Sequence, residues 1–508
     1  MGRPINLNRQ LKLGAIFSYL AITINIVSAL IYSPWMLRQI GSGDYGLYAL
    51  SCSLINIFML DLGIGAAVSR FVSKYLAEDS QDKVNNLLGV IYKLFLGIAS
   101  LISIILIIVY FYIDDIYLSL TSEELNKFKI VYLIVATFTV LSFPLSATLN
   151  GLMTSYEKFI EMKLCDLIHK IVVVILIVFV LLFGYGLYAL VTINAIGNLL
   201  FLLVKFVIIK KTTPVSANFS YFEFSLIKEI FGFSIWVLVN TIMARLIINF
   251  TPSILGISAG TIQITLFSFA AALEGYTYTF ASAIDGLFIP KVARLAYRDK
   301  DISKIEDLMI KVGRFQLNVI GLIFVGFVVI GKEFITLWLG ANYIDVYYGA
   351  VLLIFPALFY LSQQIGKETM VMTNKVKYLT YVNIGKALIS VGLVFMLSRN
   401  WGVVGACVGI SVAYMFRSIV NLFQYKYQLN IAISGFIRNC YFKMMLPQVI
   451  ALVICIFISM VYVSTGWLHL VIKGILVFVV YVTILWSLAY NREEKALFVG
   501  IIHKLIKR

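Results

Sequence analysis

Apolar stretches of about 20 residues, the length that carries an α-helix across a bilayer, recur along the whole of this 508-residue chain. Fourteen can be read: 13–37, 46–69, 87–112, 129–151, 165–184, 187–209, 230–255, 261–290, 313–331, 346–366, 378–398, 402–424, 444–464 and 467–490. Inside hydrocarbon each backbone N–H and C=O must find a partner within the protein, and a helix supplies one within its own segment. The pattern predicts an all-α polytopic membrane protein with about 14 transmembrane helices. Composition agrees, because only 13% of residues are charged where a soluble chain carries roughly 25%. The first stretch is too long for the apolar core of a signal peptide and lacks a cleavage site, so it reads as a retained span.

The formal net charge of +16 invites a nucleic-acid reading, which the placement of the charges removes. With the N-terminus called inside, the outer segments hold only Arg38, Lys127, Lys129, Lys332, Arg399 and Lys473 of the 41 Lys and Arg, and Arg245 lies within a span. Nearly all the others fall on the inner side. Basic residues concentrate in cytoplasmic loops, so both termini are expected in the cytoplasm and no nucleic-acid partner is needed. The basic loops would lie against anionic lipid. Residues 492–508 carry apolar positions at helical spacing with Lys and Arg opposite, the signature of a helix on the membrane surface.

Chemistry-bearing motifs are missing from the sequence. The five cysteines show no CxxC spacing, and His169, His469 and His503 form no zinc signature. No GxxxxGK[ST] loop, nucleophile elbow or HExxH is present. The expectation is a transporter without catalytic residues, metal or cofactor.

The chain also repeats. Asp61 is followed at +9 and +13 by Arg70 and Lys74, and Asp285 at the same offsets by Arg294 and Arg298. Phe143-Pro144 answers to Phe355-Pro356, and Gly184-Tyr185-Gly186 to Asn400-Trp401-Gly402. The order implies two six-span halves, 1–211 and 212–430, in parallel orientation. Residues 431–508 then hold two extra spans and the C-terminal amphipathic helix.

Charges in the hydrocarbon cost about 2.5–3.5 kcal/mol each on insertion scales, so they face the bundle interior. Arg245 and Glu274 lie near mid-depth on successive spans and read as an ion pair, as cavity-lining groups, or as both. Lys386 and Arg417 either snorkel or make an inner vestibule positive. Asp61, Arg70, Asp285 and Arg294 read as helix-end locks or gates. Asp166, His169 and Lys170 open their span and read as interfacial; Asn25, Asn194, Asn198 and Asn240 read as polar contacts between helices. Most of the 30 tyrosines fit interfacial belts.

An ordered series of motifs resembles the Wzx-like polysaccharide-lipid flippases of bacteria, within the multidrug/oligosaccharidyl-lipid/polysaccharide exporter superfamily. It runs through Leu37-Arg38-Gln39-Ile40-Gly41 and Asp44-Tyr45-Gly46-Leu47-Tyr48, then Leu60-Asp61-Leu62-Gly63 with Arg70-Phe71. It continues with Ala283-Ile284-Asp285-Gly286 to Pro290-Lys291, Gly313-Arg314-Phe315-Gln316, and Gly331-Lys332-Glu333-Phe334-Ile335 to Leu337-Trp338-Leu339-Gly340 and Tyr343. The resemblance implies two six-helix bundles in a V-shaped, MATE-like arrangement, with alternating access to a central cavity. It implies an undecaprenyl-pyrophosphate oligosaccharide as cargo, moved from the inner to the outer leaflet of the bacterial cytoplasmic membrane for O-antigen, capsule or exopolysaccharide. Arg245, Glu274, Lys386, Arg417 and Asn25 are then the cavity candidates. H+, Na+ or the membrane potential alone remain open as the drive, and a polymerase is an expected partner in polysaccharide assembly. Rival readings are a drug or cation antiporter, a membrane polysaccharide polymerase or ligase, and a non-transporting scaffold.

Overall fold

The structure, a computed structural model, describes residues 7–58, 64–232, 235–282, 288–296, 301–462 and 466–496. The side chains of some helical residues, Asn25 and Arg245 among them, lie outside that description, as do Asp61, Asp285 and all but the start of the C-terminal amphipathic segment. All regular structure among the described residues is helical.

The principal helices are α1 (Leu7–Phe58), α2 (Ile64–Ala77), α3 (Gln81–Phe111), α4 (Ser122–Ser155), α5 (Phe159–Leu182), α6 (Leu187–Thr212), α7 (Ile235–Ser258) and α8 (Thr261–Ser282). There follow α9 (Ile302–Trp338), α10 (Asp345–Ile354), α11 (Ala357–Tyr360), α12 (Gln364–Met372), α13 (Val376–Leu429), α14 (Lys443–Val461) and α15 (Trp467–Leu488). Every predicted apolar stretch falls largely on these helices. Nine helical stretches among the described residues are long and apolar enough to cross a membrane. Large apolar side chains stand exposed along them, such as Phe111 on α3, Phe179 on α5 and Phe457 on α14, as lipid-facing positions must.

Two helices are too long for one crossing. At 1.5 Å per residue, the 54 residues of α13 would far exceed a hydrocarbon core of about 30 Å. Its geometry breaks at Gly402 (φ 53°, ψ −132°), and the 52-residue α1 breaks at Gly41 (φ 82°, ψ 164°). A side chain at positive φ costs energy that glycine avoids, so both breaks sit where the sequence changes span. The predicted span 346–366 is likewise divided, with α10 ending just before Pro356, which removes a backbone donor.

Left-handed backbone positions recur at a constant offset. Glu157 and Asn374 are 217 residues apart, Gly184 and Gly402 218, and Gly41 and Gly260 219. The turns therefore repeat in the spacing that the sequence motifs repeat.

By contact density the chain forms two compact units. One holds residues 1–34, 269–393 and 403–508; the other holds 35–268 and 394–402. In the first, α14 and α15 are tied to α9 by polar bonds in an apolar core. Gln448 Nε2 donates to the Leu317 carbonyl (2.8 Å), Tyr481 OH to the Asn318 carbonyl (2.9 Å) and Tyr490 OH to Asn318 Oδ1 (2.7 Å). Lys473 on α15 is fully buried and pairs with Glu333 at 2.7 Å.

In the other unit, the Asp44–Tyr48 stretch is a crossing point. Thr265 Oγ1 donates to the Ser42 carbonyl (2.6 Å), and Thr261 Oγ1 to Glu124 (2.7 Å), itself part of the Thr121 capping box at the start of α4. A Cβ built on Gly46 would stand 2.2 Å from the Thr261 carbonyl oxygen. Gly46→Ala is therefore expected to cost about 1–3 kcal/mol through overpacking and to lower the melting temperature of the detergent-purified protein. Gly97→Ala, within α3 where a Cβ meets nothing within 4 Å, is the control that should not lower the melt, since Ala favours a helix over Gly.

Candidate functional site

Three of the intramembrane charges singled out in the sequence come together in the unit that holds most of α8, all of α9 to α12 and most of α13. Glu274 lies on α8, while Lys386 and Arg417 lie on α13 on opposite sides of the Gly402 break. Tyr360, the last residue of α11, stands between them. Its hydroxyl donates to Glu274 Oε1 at 2.9 Å. The Tyr360 and Tyr414 rings are 5.3 Å apart, with Tyr278 6.5 Å beyond Tyr360. Lys386 Nζ lies 4.6 Å from the Tyr414 ring centre. The Arg417 guanidinium lies 5.3 Å from Tyr360 and 5.9 Å from Tyr414.

Burial makes these contacts matter. Lys386 is 2% exposed, so its ammonium has exchanged water for aromatic faces and the field of a carboxylate. A desolvated cation over an aromatic ring gains about 2 kcal/mol or more. Lys386 also feels Arg417 as a repelling charge and Glu274 as an attracting one. At formal charges, two basic side chains and one carboxylate leave a surplus of one positive charge. Arg417 and Glu274 are the half-buried members of the trio, and the planar guanidinium of Arg417 suits two-point binding of a carboxylate or phosphate. Beside it, Gln363 Nε2 donates to the Ser418 carbonyl (3.2 Å) and to Tyr441 OH (2.9 Å).

The other sequence candidates are not part of this cluster as described. Arg245 stands on α7 and Asn25 on α1, with side chains outside the described residues; Asp61 and Asp285 are outside them altogether. Arg70 is exposed on α2 beside the Phe71 ring (6.0 Å), and Arg294 is exposed at the end of a short helix, Ile289–Arg294. Tyr360 and Tyr414 lie within predicted spans, where a tyrosine reads either as part of an interfacial belt or as a surface for stacking on sugars, and the sequence does not bring them to Glu274, Lys386 and Arg417.

The helices and their lipid-facing apolar side chains define a multi-pass membrane protein. A family profile described as polysaccharide biosynthesis protein matches residues 11–297, more than half of the sequence, and the chain belongs to that family. Among solved structures, the fold is similar to a lipid II flippase MurJ in an inward closed conformation (TM-score 0.72, 16% identity, 92% of this chain and 99% of that one). It is similar also to an inward-facing multidrug resistance MATE family transporter of the MOP superfamily (TM-score 0.66, 14% identity, 81% and 96%). A MOP superfamily transporter from Pyrococcus furiosus aligns with TM-score 0.51 at 14% identity, over 84% and 93%. No curated protein matches the sequence.

Proposed function

We propose that the protein is a flippase that carries undecaprenyl-pyrophosphate-linked oligosaccharide repeat units from the inner to the outer leaflet of the bacterial cytoplasmic membrane, with both termini in the cytoplasm. The product would feed O-antigen, capsule or exopolysaccharide assembly, with a polymerase as downstream partner. Family membership supports a polysaccharide pathway, and the single observation that carries the cargo reading is the excess positive charge around Tyr360. A pyrophosphate needs cationic, bidentate partners in a site shielded from bulk water. Arg417 is its first contact in this reading, Lys386 lends charge from behind, and Glu274 keeps the empty site from carrying two uncompensated cations. Arg245 and Asn25 are further cavity candidates, while Asp61 with Arg70 and Asp285 with Arg294 would latch helix ends as two six-helix halves alternate. With the cytoplasm negative, each negative charge moved outward gains about 2.3 kcal/mol per 100 mV, whether or not H+ or Na+ is also coupled.

A second reading, cation antiport, draws on Glu274, a carboxylate at mid-depth in a span. One experiment separates the two. Deleting the gene should make the undecaprenyl-pyrophosphate oligosaccharide accumulate on the cytoplasmic face while surface polysaccharide disappears. Unchanged surface polysaccharide with raised sensitivity to cationic compounds would reject the flippase in favour of the antiporter.

A further inference from the structure

A second polar chamber lies wholly inside the other unit. It is a cavity of about 390 Å³, at the small end of the roughly 300–1,000 Å³ range of ligand pockets. Its walls come from α1, α4, α5 and α6. Asn56, Asn150, Asn194 and Asn198 line it together with His169.

The bland account of membrane asparagines is that they bond one helix to another. Here only Asn150 does so, accepting from Lys205 Nζ at 3.1 Å. Among the described contacts Asn56, Asn194 and Asn198 have no hydrogen-bond partner, and His169 Nε2 is buried without one. Leaving a buried group such as His169 Nε2 unmet costs about 1–3 kcal/mol. Polar side chains held in spans without protein partners face water or a ligand. Asn56, Asn150 and Asn198 are exposed, so the chamber is open.

Its charge is balanced. Lys205, 7% exposed, pairs with Asp166 at 2.7 Å, and the two cancel within the wall. An anion finds no free cation among the described lining residues, and a cation finds no free carboxylate. What remains is a set of amides, each offering donors and acceptors, beside flat apolar faces supplied by Phe138 and Phe201. The Phe201 ring backs His169 at 4.9 Å.

We infer that this chamber seats the sugar portion of the cargo, a neutral polyhydroxylated ligand. Amides match hydroxyl groups that both donate and accept, and the aromatic faces suit the C–H faces of a pyranose ring. The inference rests on the flippase reading and adds to it a separate seat for the saccharide, distinct from the cationic cluster.

The test uses the full chain in nanodiscs and two probes: the oligosaccharide repeat unit released by mild acid from the host's own lipid-linked pool, and undecaprenyl pyrophosphate bearing no sugar. Wild type should bind both. Asn194→Leu with Asn198→Leu should weaken oligosaccharide binding at least tenfold and leave undecaprenyl pyrophosphate within twofold. Ser142→Trp, which fills the chamber while leaving every asparagine in place, should give the same tenfold loss and serves if the double variant does not fold. Oligosaccharide binding unchanged in both variants overturns the inference, and so does a wild type that binds only the sugar-free lipid. A wild type that binds neither probe overturns the flippase reading itself.

Discussion

Arg417→Ala is expected to lower export of lipid-linked repeat units by ten- to a hundredfold in a complemented deletion strain, with normal levels of membrane-inserted protein. The variant leaves Lys386 and Glu274 as a balanced pair and removes the excess positive charge from the cluster. A hydrogen bond to a charged group contributes about 1.5–3 kcal/mol, and each 1.4 kcal/mol or so is a factor of ten, which sets the range. Arg417→Lys should recover only part of the loss, because an ammonium restores the charge but not the two-point geometry. Lys would also surrender some of the packing that Arg417 makes over Tyr360 and Tyr414. Glu274→Gln is the informative contrast. It removes the only carboxylate in the trio, raises the positive excess, and leaves an amide able to accept from the Tyr360 hydroxyl. Under the pyrophosphate reading, initial binding of the lipid should hold or tighten, while turnover slows if release becomes limiting. Wild-type export by Arg417→Ala at normal protein level would remove the anion-site assignment.

The residues of that cluster show what the sequence could reveal. Glu274, Lys386 and Arg417 stood out because a charge within an apolar stretch is expensive, and their cost alone marks them as facing inward. Their meeting was hidden. Lys386 and Arg417 are separated by a whole span and the Gly402 break, and Glu274 reaches them through Tyr360, on a short helix that begins after Pro356. No periodicity carries that information. The fold was more legible, since hydrogen-bond satisfaction in lipid forces helices wherever the chain stays apolar for long enough. The breaks at Gly41 and Gly402 were less so, because what decides them is a positive φ rather than a run of polar residues. Asp166 and His169 read as interfacial residues, and the sequence did not show that α6 stands beside them. Lys205, a single charge near the end of an apolar stretch, is the residue that pairs with Asp166.

Arg314→Met is expected to give the largest loss of stability of any substitution considered, through a buried site where the Gly313-Arg314-Phe315-Gln316 motif meets the end of α15. Arg314 is 4% exposed. It donates from Nε and Nη2 to both oxygens of Glu494 (2.6 and 2.7 Å), from Nη1 to the Asn439 carbonyl (2.9 Å) and from Nη2 to the Ala489 carbonyl (2.8 Å). One side chain thus closes the region before α14 and the chain after α15 onto α9. Removing one partner of such a pair costs about 3–5 kcal/mol, because the other charge is left uncompensated. Arg314→Met combined with Glu494→Gln should lose less than Arg314→Met alone, since no unpaired charge remains. Acid provides an independent check. Burial, the largest influence on Glu494, pushes its carboxyl up, but the bonds from Arg314 and the Asn491 N–H, with the charges of Arg314 and Lys311, outweigh it and hold the group below its ordinary value. A group whose folded pKa is depressed contributes stability that is fully present above the unfolded value, about 4.3 for glutamate, and is lost as pH falls through the folded one. The melting temperature of the wild type should therefore drop on acidification below that value, and Glu494→Gln should flatten this part of the profile. An equal acid response in Glu494→Gln would mean that other carboxylates carry it and that the Arg314 contact holds the helices by its neutral bonds to Asn439 and Ala489.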